Sequence, residues 1–364
     1  MSFFKSVREI LRRLFTHRHE NALSTQAFEN KNTSIQQTKR FIFPAESEPH
    51  EATILGFPSR CSLPTENYDE VSEELADLAT TIAEFEPVRM YVRTEDMAYA
   101  QTLLSMSGRD ISNFTLIPCP INHCWVRDTG PVYVRDARQD FHDRRYALNF
   151  RFNEWGGKKP EHDGMCWGQE WPLMEQTTIR ENEDFARWVI DHDDDPSPVS
   201  RIDAPIRLEG GALVVDGEGT LLISESSIVC DKRNPNLSKF EIEEQLKRLL
   251  SIEKVIWVPG HRNVDITDVH MDAEARFIRP GVIVFSKPHD TAVDLWKEIS
   301  TEIYDILRSQ TDAKGRLFEI HTIEEADPRG LVQSDHDEFV ASYVNFYFVN
   351  GGLIIPKFGD EVRD

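Results

Sequence analysis

Cysteine is scarce in this chain: only Cys61, Cys119, Cys124, Cys166 and Cys230 among 364 residues. They are odd in number and never fall in a C-x-x-C pair, which excludes a disulfide framework and a cysteine zinc site, so a reducing compartment is expected. Positive charge is also short, 41 Lys and Arg against 63 Asp and Glu, for a formal charge of −22. A polyanion needs clustered Lys and Arg, so nucleic acid is excluded as a partner and small cations are favoured. Nowhere does an apolar run approach the roughly 18 to 20 residues that cross a bilayer, so no membrane span is expected. What remains, 40% hydrophobic and 10% aromatic residues, is the composition of a large globular protein able to bury a substantial core.

Two regions differ in character. Residues 1–40 open with Lys5, Arg8, Arg12, Arg13 and Arg18 against Glu9 alone, with Phe3, Val7, Ile10, Leu11, Leu14 and Phe15 at helical spacing, and continue as an Asn/Ser/Thr/Gln-rich linker. A basic amphipathic start suits an organelle transit peptide and equally a plain tail. A cytoplasmic location is therefore expected, with a mitochondrial one as the alternative. Residues 41–364 form the expected folded body.

Within that body helical and strand periods alternate, which predicts an α/β class. Val71, Leu75, Leu78, Ile82 and Phe85 mark one helix face, followed by a strand at Val88–Val92. Ser238 with Glu241 forms a capping box opening a helix through Leu246 and Leu250, and Val255–Val258 reads as a buried strand. A helix carrying Val293, Ile299, Ile303 and Ile306 falls between strands near 282–285 and 317–320. Strands at 343–349 and 353–355 end the pattern. The acidic run 191–195 reads as a solvated loop rather than a metal site.

Three polar clusters sit in or beside apolar segments, where an unpaired charge is costly: WVRDTGP at 125–131, Glu209-Gly210-Gly211, and His270-Met271-Asp272. Taken singly each has a plain reading. Asp128 pairs with Arg127, Glu209 is an edge carboxylate beside a glycine turn, and the i, i+2 spacing of His270 and Asp272 places both on one side of a strand without a second histidine cluster to make a metal site.

In order along the chain they resemble something specific. FPAESEPHEATILGFPS (43–59), WVRDTGP, FNEWGGK (152–158), LEGGALVVDGEGTLL (208–222), RNPNLSKFEIEEQLKRLL (233–250), TDVHMDAEARFIRPG (267–281) and SYVNFYFVNGGLIIPKFGD (342–360) resemble the agmatine deiminase and bacterial-type peptidylarginine deiminase family. That resemblance implies a pentein fold, a five-bladed pseudo-symmetric α/β-propeller, and hydrolytic deimination of a small cationic guanidine, agmatine first and peptidyl-arginine second. A non-catalytic guanidine-binding or assembly protein is the alternative of another class. It also implies site roles: Asp128 and Asp272 clamp the guanidinium by charge-assisted hydrogen bonds, Glu209 polarises it, His270 is the general acid/base, and Trp125 and Trp155 are flat walls or, equally, core. No metal or cofactor is implied, and assembly into a homo-oligomer stays open.

The chain departs from the family at two places. The family nucleophile is a cysteine following a glycine run, in a segment resembling GGG-x-H-C-x-T. None of the five cysteines has that context, so the nucleophile is expected beyond residue 364 and the last blade is expected to be incomplete. The segment before Trp125 reads Asn122-His123-Cys124 in place of Asn-Asp-x, and Cys124 is expected to be a buried thiol acting as a small apolar side chain.

Overall fold

The computed structural model describes residues 41–60, 65–109, 112–136, 145–157, 176–193, 199–329, 341–360 and 362–364. The basic segment 1–40, Cys61 and Cys166 lie outside the described residues. Among the described residues the strands form five small sheets, none closed on itself. β2 (Thr53–Gly56), β3 (Val88–Val92) and β4 (Phe114–Pro118) are parallel. β1 (Phe41–Ile42), β5 (Val132–Asp136), β6 (Arg145–Asn149) and β7 (Val199–Asp203) form the second sheet. The third holds β8 (Val214–Val215), β9 (Thr220–Ser224) and β10 (Lys254–Val258), and the fourth β11 (Ala275–Arg279), β12 (Val282–Lys287) and β13 (Glu319–Glu324). The hairpin β14 (Tyr347–Val349) and β15 (Gly352–Ile354) is the fifth.

The second, third and fourth sheets share one plan, an antiparallel hairpin followed by a helix and a parallel strand. The returning helices are Gln176–Asp191, Lys239–Leu250 and Asp294–Ser309. In the middle one the capping box forms, Ser238 N donating to Glu241 Oε2 at 2.8 Å and Glu241 N to Ser238 Oγ at 3.3 Å, a cap of about 1 kcal/mol. Its buried residues Ile242, Leu246, Leu249 and Leu250 form one stripe.

Apolar burial links each sheet to the next. Tyr91 in the first sheet and Ile121 beside it pack with Phe185 and Val189 of the helix belonging to the second. Leu148 and Leu221 share a cluster across the second and third, and Leu222 and Phe285 across the third and fourth. Val284 meets Phe348, and Val349 packs with Met90 in the first sheet. The packing order thus returns to its start.

Several sequence expectations shift. Phe85 lies past its helix, Thr65–Ala83, and is exposed. The strand expected at 317–320 starts at Glu319, because Leu317 bridges Thr311 and only Glu319 reaches Val282. The strand expected at 343–349 is limited to Tyr347–Val349, and its partner runs 352–354. The acidic run is not simply solvated: Asp191 ends a helix, while the side chain of Asp193 is buried beside Arg89 Nη1 at 2.8 Å and Arg145 Nη2 at 3.5 Å. A carboxylate so desolvated needs both cations. Asp194 and Asp195 lie outside the described residues.

Candidate active site

Three turns, each just before the first strand of a hairpin, carry the candidate groups. Asp128 lies in the short helix Val126–Thr129 before β5; Glu209 caps the 3-10 turn Gly210–Ala212 before β8; His270 and Asp272 flank and enter the turn Met271–Ala273 before β11. The repeated plan of the three sheets brings positions 128, 209, 270 and 272 together although nothing local connects them. His270 Nε2 lies 3.2 Å from Glu209 Oε2, and its Nδ1 lies 3.6 Å from Asp128 Oδ1.

Gly211 is the point of convergence. A Cβ there would stand 2.6 Å from His270 Nδ1, 2.8 Å from Asp128 Oδ1 and 2.9 Å from Asp272 Oδ2, while the Gly211 N–H donates to Asp128 Oδ1 at 2.9 Å. Any side chain would fill the space between the three groups, so this glycine serves close approach and not merely a turn. At Gly210 a Cβ would run into the Arg127 carbonyl oxygen, which fixes how closely the first two turns pack.

Charge in the pocket is unevenly balanced. Glu209 is almost fully buried, which by itself would raise its pKa, but Arg233 and His270 outweigh burial and hold it below the ordinary value. Arg233, equally buried, donates from Nε to both Glu209 oxygens at 2.8 and 3.1 Å, from Nη1 to Asp268 Oδ2 at 2.8 Å and from Nη2 to the Thr267 carbonyl at 3.1 Å. Burial would lower the His270 pKa; Asp128, Glu209 and Asp272 raise it to about 9. Asp272 is raised to about 6, by burial first and by repulsion from Asp128, with His270 opposing. With Arg233 committed to Glu209 and Asp268, the Asp128–Asp272 side carries negative charge matched mainly by the imidazolium. Such a site favours a cation with several donors.

The tryptophans differ. Trp125 is 48% exposed, whereas Trp155 is buried against Phe152 and donates from Nε1 to Asp128 Oδ2 at 2.8 Å. Arg127 pairs with Glu46 rather than with Asp128. Of the described cysteines, Cys119 and Cys124 have thiols that burial pushes up to about 12; Cys230 Sγ lies 3.9 Å from Arg233 Nη1.

Sequence reasoning read Gly211 only as part of a turn, and missed Arg233 and the pair His123–Glu154. Arg233 stood inside the RNPNLSKF block with no role, and its signal was an arginine in a turn-rich stretch ahead of the helix cap rather than on the helix surface. For His123 the signal was its place in the departing Asn-His-Cys-Trp segment.

Known proteins are similar to this chain over nearly its whole length. The model of the Porphyromonas-type peptidyl-arginine deiminase family matches residues 42–364. A Selenomonas ruminantium protein provisionally named an agmatine deiminase is 33% identical over 347 residues, 90% of this chain and 87% of its own. The agmatine deiminase of Medicago truncatula is 32% identical over 344 residues, 89% of this chain and 86% of its own. Among solved structures, the agmatine deiminase of Enterococcus faecalis superposes with a TM-score of 0.73 at 27% identity, over 88% of this chain and 84% of that one. Since the family match takes in all five sheets and all three turns that bear the pocket, this chain belongs to the Porphyromonas-type peptidyl-arginine deiminase family.

Proposed function

We propose that the chain is built to deiminate agmatine, converting it with water to N-carbamoylputrescine and ammonia. The observation that carries this reading is the pair of carboxyls, Asp128 and Asp272, converging at Gly211 with more negative charge than the His270 imidazolium alone balances. A planar guanidinium placed there donates to both. The agmatine deiminase names of relatives at 32–33% identity favour the small amine over peptidyl-arginine. The five sheets and the return of packing from the last to the first support a five-bladed pseudo-symmetric propeller around the pocket, with residues 41–364 as one catalytic domain and 1–40 as a tail.

In this reading Asp128 and Asp272 clamp the guanidinium, and Glu209, kept ionised by Arg233, draws positive charge toward its bound edge. His270, an imidazolium below about pH 9, gives its proton to the nitrogen that leaves as ammonia and then accepts one from the incoming water. Trp125 forms an open wall; Trp155 sits behind Asp128. The family route passes through a thiolate adduct, and neither Cys119 nor Cys124 supplies a thiolate near neutral pH.

The alternative of another class is guanidine binding without turnover. One experiment tests both. Agmatine is titrated calorimetrically into the protein while ammonia and ureido product are assayed, with Asp128→Asn in parallel. Saturable binding weakened at least tenfold, about 1.4 kcal/mol, by Asp128→Asn is expected. Ammonia release then decides between enzyme and binder, and absence of agmatine binding overturns both.

A further inference from the structure

Beside the pocket lies a second buried imidazole–carboxylate contact that the proposed chemistry does not use. His123 and Glu154 are 4% and 5% exposed, with Nε2 and Oε2 3.1 Å apart. Asn182 Nδ2 donates to the other Glu154 oxygen at 2.8 Å, tying the pair to the helix Gln176–Asp191. His123 stands just before the turn that carries Asp128, and Glu154 just before Trp155. The contact therefore joins the segment bearing Asp128 to the segment whose indole N–H donates to Asp128 Oδ2.

The backbone at this junction is unusual. Glu154 and Trp155 both take left-handed conformations, with φ of 53° and 48°. For residues with a Cβ this conformation is strained, and it persists only where the surroundings over-determine it. The groups that do so are visible: the Glu154 carboxylate is held from two sides, and the Trp155 ring rests 5.4 Å from the His123 ring and 4.9 Å from Phe152. Released from them, residues 154–155 would relax toward ordinary φ, and the indole would swing off Asp128. Asp128 would then keep Gly211 N–H on Oδ1 but lose its Oδ2 donor.

We propose that His123 and Glu154 are positioning residues, which hold the left-handed turn at 154–155 so that the Trp155 N–H fixes the orientation of Asp128 for a guanidinium ligand. The ligand part rests on the function proposed above. The structural part does not, because the indole proton reports on it directly.

The test uses the full chain with His123→Phe, which keeps an aromatic ring without its nitrogen, and Glu154→Leu, Glu154→Gln and Trp155→Phe. Exchange protection of the Trp155 indole proton, assigned by its loss in Trp155→Phe, is followed by NMR, and agmatine affinity by calorimetry. His123→Phe and Glu154→Leu are expected to lose the protection and to weaken agmatine binding about tenfold, the scale of one lost charge-assisted hydrogen bond. Glu154→Gln, which still offers an acceptor to His123, is expected to keep both within about threefold, a range under 1 kcal/mol. In a Trp155→Phe background His123→Phe should add less than about twofold, since the two act through one contact. Unchanged indole protection in His123→Phe, or full additivity of the two losses, overturns the proposal. If Glu154→Leu does not fold, His123→Phe decides alone. Failure of the unmodified protein to bind agmatine sinks the function proposed above, while the indole readout still judges the pair.

Discussion

Asn350 and His50, 300 positions apart, exchange two hydrogen bonds: His50 N–H donates to Asn350 Oδ1, and Asn350 Nδ2 donates to the His50 carbonyl, each at 2.8 Å. Glu86 strengthens the junction by accepting from the Asn350 N–H at 2.7 Å and facing His50 Nδ1 at 3.0 Å. This latches the fifth sheet to the first. Asn350→Ala leaves two half-buried backbone groups of His50 without partners, at a net 0.5 to 1.5 kcal/mol each, so a loss of about 1 to 3 kcal/mol is expected. Urea unfolding measures it as a lower midpoint with an unchanged slope. A change under about 0.5 kcal/mol, the size of an ordinary surface substitution, would show that the latch carries no stability.

Local signals in the sequence reached the elements that local chemistry decides. The capping box fixed the start of Lys239–Leu250, and the segments 88–92 and 255–258 fell on strands. Partner choice was not legible, because β9 pairs in parallel with β10 only across an intervening helix. The convergence of 128, 209, 270 and 272 was reached through the family resemblance alone, since no periodicity within the chain relates them. The roles of Arg233 and Gly211 escaped the sequence for a shared reason: they depend on what lies opposite, a buried carboxylate in one case and the converging tips of His270, Asp128 and Asp272 in the other.

Arg233 gives the largest expected loss of stability. Its guanidinium matches both oxygens of Glu209 and reaches Asp268 and Thr267, so one side chain sets Glu209 against the loop that presents His270. Arg233→Met takes the guanidinium from two buried carboxylates, and breaking a buried pair in this way typically costs about 3 to 5 kcal/mol. Arg233→Lys keeps the charge without the planar fork and should fall between the two. Chemical unfolding of the three proteins orders them; Lys equal to Arg would mean that charge alone matters.

The two neighbouring glycines should fail in different ways. A methyl at Gly210 meets the rigid Arg127 backbone, whereas a methyl at Gly211 meets only the tips of His270, Asp128 and Asp272. Gly210→Ala is therefore expected to cost stability, about 1 to 3 kcal/mol for overpacking. Gly211→Ala should spare the fold and weaken agmatine binding by tenfold or more. Paired thermal unfolding and calorimetry check this, and tight agmatine binding by Gly211→Ala would remove that space from the site.

Asp272 should trade stability for binding, with a definite pH dependence. Its folded pKa of about 6 lies above the ordinary 3.8, so between those values the folded chain holds a proton that the unfolded chain releases. Stability from this group is present below pH 3.8, falls as pH rises toward 6, and is fully lost above it. Asp272→Asn removes the penalty and should stabilise the protein at pH 7, on the order of 2 kcal/mol after allowing for weaker support of the His270 imidazolium. The gain should shrink as pH falls from 6 and vanish near 3.8. His270 runs at higher pH: with its folded pKa raised to about 9 from 6.5, its contribution is full below 6.5 and disappears as pH rises through 9. Unfolding free energies of both proteins from pH 4 to 9, with agmatine affinity at pH 7, test the exchange. A destabilised Asp272→Asn at pH 7 would mean that the carboxylate is satisfied by the protein groups around it, and the argument for a cation between Asp128 and Asp272 would lose its basis.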